Sequence, residues 1–255
     1  MRILIVLALC CAAVAAAPRK PHRIVGGQDT SIEKYPSMAS LVYTEDNIHF
    51  YATCGCAVIN NRSVVTAAHC TVGMIILHLR IRVGTTIVTS GGEVIPTSAI
   101  IINPCYNDAT LDCDIALVRT SSTIVYSFTV QPAPIAGQFY NLPDNEPVWA
   151  TGWGDTQVGG PASEHLQEVE LFTVNQEICR QRFEMVESVI TANMLCAGLL
   201  DIGGKDQCYG DSGSPVYHNG VIVGVCSFGE ACALPEFPGV NARVSRFAPW
   251  ILENA

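Results

Sequence analysis

The chain has 255 residues, of which 49% are hydrophobic and 15% charged, and its formal net charge is -9. The high apolar content argues against a disordered chain, and the negative balance argues against a nucleic-acid partner. The length allows one or two domains.

The first 17 residues have the composition of a secretory signal. Arg2 is followed by an apolar run from Ile3 to Val14 and then by three alanines, which is the charged, hydrophobic and small-residue order of such signals. The apolar run is too short to span a bilayer. We therefore expect residues 1–17 to be a signal peptide and the mature protein to be secreted, with no membrane partner.

The cysteine content agrees with export. Twelve cysteines occur, and two of them, Cys10 and Cys11, fall in the predicted signal. The ten that remain predict up to five disulfide bridges in an exported chain. The spacing of Cys54 and Cys56 does not match the usual zinc motifs, so we expect no metal.

Residues 18–23 are basic and contain proline, and the apolar and flexible sequence Ile-Val-Gly-Gly follows them. A cut after Arg23 would remove this segment and create a new ammonium group at Ile24. The alternative is a tail that is never cut, and the segment alone does not decide between the two.

From Ile24 onward the pattern is typical of an all-β protein. Short runs rich in Val, Ile and Thr alternate with Gly, Pro, Asn and Asp, which predicts a sandwich or barrels. Helical patterns occur near 175–183 and 245–254. The stretch 129–147 lacks strand alternation, and we interpret it as the connection between two halves of similar size.

Three separated motifs carry the residue types of nucleophilic catalysis. His69 lies in Thr-Ala-Ala-His-Cys, Asp114 directly precedes an apolar run, and Ser212 lies in Gly-Asp-Ser-Gly. A serine hydroxyl needs a base such as histidine to become a nucleophile, and a buried aspartate needs a hydrogen-bond partner. Alone, Gly-Asp-Ser-Gly is also typical of a surface turn, so the interpretation depends on the three motifs together.

In this order the motifs resemble the trypsin/chymotrypsin family of serine endopeptidases, and the whole chain is most similar to digestive trypsins of lepidopteran-like insect larvae. The resemblance covers Ile24 to the C-terminus. It implies an all-β fold of two packed six-stranded antiparallel β-barrels with a short C-terminal helix and an active site in the cleft between them. Barrel 1 would span about 24–133, barrel 2 about 134–245 and the helix about 245–254.

The resemblance also implies roles for the motif residues. Ser212 would be the nucleophile, His69 the general base and Asp114 the group that orients the histidine. The backbone amides of Gly210 and Ser212 would form an oxyanion hole.

A substrate pocket is implied by a second set of positions. Asp206 would lie at its floor and attract Arg or Lys, while glycine at 229 and 239 would leave room for a long side chain. The alternatives are a solvated loop acid, a broader or chymotrypsin-like preference because Gln207, Tyr209 and Phe228 border the pocket, and a catalytically silent binding homologue.

For activation, the resemblance implies that the Ile24 ammonium pairs with Asp211, so that the uncut chain is a zymogen. It also implies three disulfide bridges, Cys54–Cys70, Cys179–Cys196 and Cys208–Cys232. Four cysteines stay unassigned. They are Cys56, Cys105, Cys113 and Cys226. Cys105 and Cys113 bracket one loop and could form a disulfide bond with each other, and the alternative is that these cysteines are free thiols.

The implied partners are polypeptide substrates, protein protease inhibitors and an activating protease, which could be the enzyme itself. We expect a monomer in the extracellular gut lumen and no cofactor. Three features stay open: occupancy of the glycosylation sequon at Asn61, the effect of Ser214 where the family more often has glycine, and the excess of eleven Arg over three Lys. That excess fits either an alkaline medium, in which Arg keeps its charge, or fewer sites of self-cleavage.

Overall fold

The protein is described from a computed structural model, which covers residues 24–255. The predicted signal at 1–17 and the predicted activation segment at 18–23, including Arg23, lie outside the described residues.

Six strands form the first, closed barrel. They are β2 (Met38–Tyr43), β3 (Tyr51–Val58), β4 (Ser63–Thr66), β5 (Leu79–Val83), β6 (Glu93–Ile102) and β7 (Ala116–Thr120), preceded by the short β1 (Gln28–Asp29). The barrel order is β2-β3-β4-β7-β6-β5 and every pairing is antiparallel. Both faces of β4 and most of β7 are buried, as their runs of apolar side chains predict.

Six further strands form the second barrel. They are β8 (Pro147–Gly152), β9 (Gln167–Thr173), β10 (Met194–Gly198), β11 (Pro215–His218), β12 (Val221–Phe228) and β13 (Gly239–Arg243). Their order is β9-β10-β13-β12-β11-β8, and the additional pairing of β8 with β9 closes the ring. The predicted pair of six-stranded antiparallel barrels is confirmed.

The first residues after Ile24 do not belong to the first barrel. Strand β1 pairs with β9, so that Gln28 lies opposite Glu168. The start of the predicted first half is therefore hydrogen-bonded to the second barrel, a long-range pairing that local patterning could not reveal.

Two α-helices follow the predicted pattern to within one residue at each end. Helix α1 (Gln176–Glu184) begins after Asn175, whose side chain accepts hydrogen bonds from the amides of Glu177 and Ile178. Helix α2 (Val244–Asn254) buries Val244, Phe247, Ala248 and Ile251. That spacing is the apolar stripe of an amphipathic helix, and it attaches the C-terminus to the barrels.

Candidate active site

The first barrel brings His69 and Asp114 together. Strands β4 and β7 are antiparallel neighbours in which Thr66 lies opposite Ala116. His69 follows the end of β4 and Asp114 precedes the start of β7, so both residues lie at the same end of the pair. The Nδ1 atom of His69 is 2.7 Å from Asp114 Oδ2, and the backbone N–H of His69 donates to Asp114 Oδ1 at 2.9 Å.

Asp114 is almost completely buried and receives a third hydrogen bond. The hydroxyl of Ser227, in β12 of the second barrel, donates to Asp114 Oδ2 at 2.5 Å. A buried carboxylate is stable as an anion only when such donors surround it. Sequence reasoning missed Ser227, although it lies only two residues before Gly229, which was predicted to line the pocket.

The loop that carries Ser212 is held against the first barrel. The backbone N–H of Gly55, in β3, donates to the carbonyl oxygen of Ser212 at 2.8 Å. Gly213 has a φ of +78° and packs so closely on Thr66 and Gly55 that a Cβ atom there would collide with both. The close packing on Thr66 brings Ser212 to the same end of β4 that carries His69.

Gly210 precedes Ser212 by two residues and has a φ of +92°, a conformation that favours glycine. In the described part of the chain we find no hydrogen bond between the Ser212 hydroxyl and the His69 imidazole. Catalytic hydrogen bonds are often long before substrate binds.

A cavity of about 220 Å³ opens beside Ser212 and extends to Asp206. Asp206 is 3% exposed. Its two oxygens accept hydrogen bonds from the amides of Gln207 and Ala233, each at 2.9 Å. Burial raises the pKa of this carboxyl to about 7, although the two amide donors lower it. The two amide donors do not fully offset the cost of burying the negative charge. A cation that enters the cavity would therefore stabilise the ionised carboxylate.

The two predicted glycines lie at this cavity and keep it open. A Cβ atom at Gly239 would lie 2.7 Å from Asp206 Oδ1, and one at Gly229 would lie 3.2 Å from the carbonyl oxygen of Ala231. Both residues line the cavity, together with Phe228 and the free thiol residue Cys226. Tyr209 also lines it but is 60% exposed, which places it at the mouth.

Asp211 is completely buried next to Ser212. Its oxygens accept hydrogen bonds from the amides of Gly154 at 2.8 Å and Cys208 at 2.9 Å. Burial raises the pKa of this carboxyl to about 7. No cationic side chain forms an ion pair with Asp211 within residues 24–255, and Ile24 is itself fully buried.

Four disulfide bonds are present in the described chain. Three have the pairing that the resemblance implied, Cys54–Cys70, Cys179–Cys196 and Cys208–Cys232, and the fourth joins Cys105 to Cys113. The last one stiffens the approach to Asp114. Cys56 and Cys226 are free and buried.

Ser214 is fully buried, and its φ is not positive, so the strain that the replacement of glycine could have caused does not arise. Its hydroxyl occupies the space where a Cβ atom of Gly55 would otherwise lie.

Potential metal ligands converge at one place in residues 24–255, at Cys54, His69 and Cys70. The two sulfur atoms are bonded to each other. They are therefore not thiolates, which is the form of cysteine that ligates metals, and His69 is already bound to Asp114.

Comparison with known proteins agrees with this geometry. Residues 24–251 match the family described as Trypsin. The chain belongs to the trypsin family. It is 53% identical to "Trypsin, alkaline B" of Manduca sexta over 99% of this chain and 98% of the relative. It is also 52% identical to "Trypsin CFT-1" of Choristoneura fumiferana over the full length of both, and 40% identical to "Trypsin" of Phaedon cochleariae over 91% of this chain and 88% of the relative.

As a member of the trypsin family, the protein is a serine endopeptidase that acts on polypeptides, and it is similar over its full length to trypsins of Manduca sexta and Choristoneura fumiferana. No helix in the described part of this trypsin-family protein is long and apolar enough to cross a membrane.

Proposed function

We propose that the protein is a secreted digestive endopeptidase, made as a zymogen, that cuts peptide bonds after Arg and Lys through an acyl-enzyme. Residues 1–17 would be the signal peptide, 18–23 the activation peptide and 24–255 the peptidase domain. The observation that carries the proposal is the buried Asp206 in a cavity that Ser212 also lines.

The chemistry follows from the groups at the site. The Ser212 hydroxyl attacks the substrate carbonyl while His69 accepts its proton. The histidine then donates that proton to the leaving amine, and water later hydrolyses the acyl-enzyme with His69 again acting as base. Asp114 holds the proton on Nδ1 of His69, which leaves Nε2 free to act as the base, and stabilises the imidazolium.

The tetrahedral intermediate carries a negative oxygen. The backbone amides of Gly210 and Ser212 would donate to it, and one such donor is typically worth about 10²–10³ in rate. The loop has a positive φ at position 210, and glycine adopts that angle without strain.

Specificity would come from the charge of Asp206. A guanidinium or ammonium group that enters the cavity replaces its water shell with a carboxylate that has only two amide donors. A neutral side chain of the same length would leave that carboxylate desolvated and unpaired, which is unfavourable.

Binding of a cation in this cavity should depend on pH. Because the pKa of Asp206 is raised to about 7 in the empty cavity, the carboxyl loses its charge as the pH falls through 7. We expect the inhibition constant of a small guanidinium compound to rise about tenfold per pH unit below that value. Competition assays from pH 5.5 to 9 measure this, with an uncharged compound of the same shape as control. A guanidinium constant that stays flat between pH 8 and 6 would contradict the assignment of the pocket.

Activation would supply the cation that Asp211 lacks in the described chain. A cut after Arg23 creates an ammonium at Ile24, and its insertion beside Asp211 would offset the cost of burying that carboxylate. Asp211 lies between the two proposed oxyanion donors, so its position controls them.

The replacement Arg23→Gln should therefore leave a nearly inert zymogen after treatment with a trypsin-type activator. Activity on an arginine reporter and N-terminal sequencing of the product measure this together. Arg62→Gln, which changes an exposed arginine elsewhere, is the matched control and should be activated normally. Full activity of uncut Arg23→Gln protein would rule out the pairing of Ile24 with Asp211.

The proposed activity is tested with paired reporters that differ only in the residue before the cut. Cleaved protein should hydrolyse Arg and Lys reporters much faster than Tyr or Leu reporters, and an organophosphorus reagent should label Ser212. Faster cleavage of Tyr or Leu would favour the broader, chymotrypsin-like preference instead.

The proposed setting is the gut lumen, with dietary proteins as substrates and protein protease inhibitors as partners. Three relatives carry the name "Trypsin, alkaline", and in this chain Arg outnumbers Lys by eleven to three. Arginine keeps its charge at strongly alkaline pH, whereas lysine begins to lose it near pH 10.4.

A further inference from the structure

The basic residues of this chain are unevenly distributed over the fold. Of the fourteen Arg and Lys residues, four precede Ile24 and ten lie in the described part. Seven of these ten are inside regular elements: Arg80 and Arg82 in β5, Arg119 in β7, Arg180 and Arg182 in α1, Arg243 in β13 and Arg246 in α2.

Most of the long surface connections contain none, and the connection 199–214 contains only Lys205. Neither Arg nor Lys occurs in 44–50, 67–78, 84–92, 103–115, 121–146, 153–166, 185–193 or 229–238. These connections include strongly exposed side chains such as Phe139, at 92%, and Val158, at 56%. Exposed connections are where proteases preferentially cut folded proteins.

The residue after each basic side chain is also shielded. In nine of the ten cases it is buried: Tyr35, Ser63, Ile81, Val83, Thr120, Phe183, Asp206, Val244 and Phe247. The exception is Gln181, which follows Arg180 within helix α1. A protease must hold residues on both sides of the scissile bond, so a buried leaving-group residue prevents attack unless the segment unfolds.

In two of the three basic residues outside regular elements, a group that a protease must bind already has a partner within the fold. These groups are the side-chain ammonium of Lys34 and the backbone carbonyl of Arg62. The ammonium of Lys34 lies 2.6 and 2.8 Å from the two oxygens of Glu168, whose side chain is 2% exposed. The carbonyl oxygen of Arg62 accepts hydrogen bonds from the amide of Thr120 at 2.9 Å and from its hydroxyl at 3.2 Å.

The third such residue is Lys205. The amide nitrogen of the next residue, Asp206, belongs to the bond that would be cut, and it donates to the carbonyl oxygen of Val25 at 3.1 Å. Each of the three positions is also followed by a buried residue, Tyr35, Ser63 or Asp206, so cleavage there requires that the segment first leaves its place in the fold.

We propose that the folded enzyme is protected from its own activity by the placement of its Arg and Lys residues. The inference rests on the proposed preference for Arg and Lys. Self-cleavage would be ordinary hydrolysis, in which the peptide C–N bond breaks and water supplies a hydroxyl to the carbonyl carbon and a proton to the new amine. In the folded chain, the peptide bonds after Arg and Lys are not accessible to the active site of another enzyme molecule. The placement in the fold, rather than the small number of lysines alone, is what protects the chain.

The first test adds one cleavable residue to an exposed connection. Val158 lies between exposed residues Gln157 and Gly159, so Val158→Arg creates an accessible bond before Gly159. We expect this variant to lose activity on self-incubation at least about tenfold faster than wild type, because the bond needs no unfolding to be cut. N-terminal sequencing should find a new end at Gly159. The matched control Val158→Gln should be as durable as wild type, and equal lifetimes of all three proteins would overturn the proposal.

The second test separates this inference from the proposed preference. Inactive Ser212→Ala protein is incubated with an independent Arg/Lys-specific protease, so the result does not depend on the enzyme's own specificity. Beyond the segment before Ile24, we expect it to stay intact under native conditions. On mild heating, we expect the first internal end at Gln181. A first cut after Lys34, Arg62 or Lys205, or rapid fragmentation under native conditions, would refute the shielding. Failure of the Arg reporters with an intact chain would refute only the proposed preference.

Discussion

Replacing Asp206 by serine should lower kcat/KM for arginine reporters by on the order of 10⁴, the range expected when a site built around a buried polar contact loses it. A guanidinium group would then enter an apolar cavity without a counter-charge and would lose its hydration. The loss should appear on Arg and Lys reporters and should be small on Tyr reporters. Paired reporter kinetics measure it directly.

Labelling of Ser212 is the control that separates lost specificity from lost folding. The Asp206→Ser protein should still react with an organophosphorus reagent, because that group needs no cation pocket. Asp201→Ser is the matched charge control, since Asp201 lies in the same connection but pairs at the surface with Arg182 and should matter little for activity. An unchanged preference for Arg in the Asp206→Ser protein would remove the basis of the specificity argument.

Asp114→Asn should reduce kcat with little change in KM, and in this family such a change costs about 10⁴ in turnover. The side chain of Asp114 receives hydrogen bonds from the His69 backbone, and from Ser227, and contacts His69 Nδ1. An amide can keep its place but would donate toward Nδ1 from its NH₂ group, which stabilises the tautomer that has its proton on Nε2. The imidazole could then no longer accept a proton from Ser212.

The neighbouring Asp112 provides the control. It accepts hydrogen bonds from Thr191 and Asn193. Within residues 24–255 it forms no hydrogen bond or ion pair with His69, so Asp112→Asn should keep kcat near the wild-type value. Thermal unfolding of both variants shows whether either is misfolded. Normal turnover by folded Asp114→Asn protein would mean that His69 does not need this carboxylate.

Local patterning predicted only a sandwich or barrels, and the pair of six-stranded barrels was predicted from the resemblance that the ordered motifs carry. The proximity of His69 and Asp114 was also predicted through the resemblance. The structure shows its cause, because the apolar runs that the two residues adjoin form the neighbouring strands β4 and β7. The position of Asp206 in a cavity could be predicted only through the resemblance, since an acid in a loop carries no signal of burial by itself.

Other features could not be predicted, because they depend on side-chain contacts and backbone angles that only the folded chain determines. Ser227 reaches Asp114 across the two barrels over 113 positions, and nothing local marks it. The pairing of Cys105 with Cys113 stayed open because cysteine spacing alone does not determine connectivity. Whether Ser214 would be strained depended on a backbone angle that the sequence does not contain.

The shielding of the bonds after the basic residues is another feature that could not be predicted from the sequence. Composition showed few lysines but allowed two explanations. Only the fold shows that most of the connections lack Arg and Lys and that nearly every residue after a basic one is buried.

The most direct test is a short digest of one unrelated, fully sequenced protein by the enzyme cut after Arg23, with every new end identified. If the buried carboxylate of Asp206 selects cationic side chains next to the Ser212 hydroxyl, the new C-termini should be Arg or Lys. New C-termini that are mainly aromatic or aliphatic would show that Asp206 does not select the substrate.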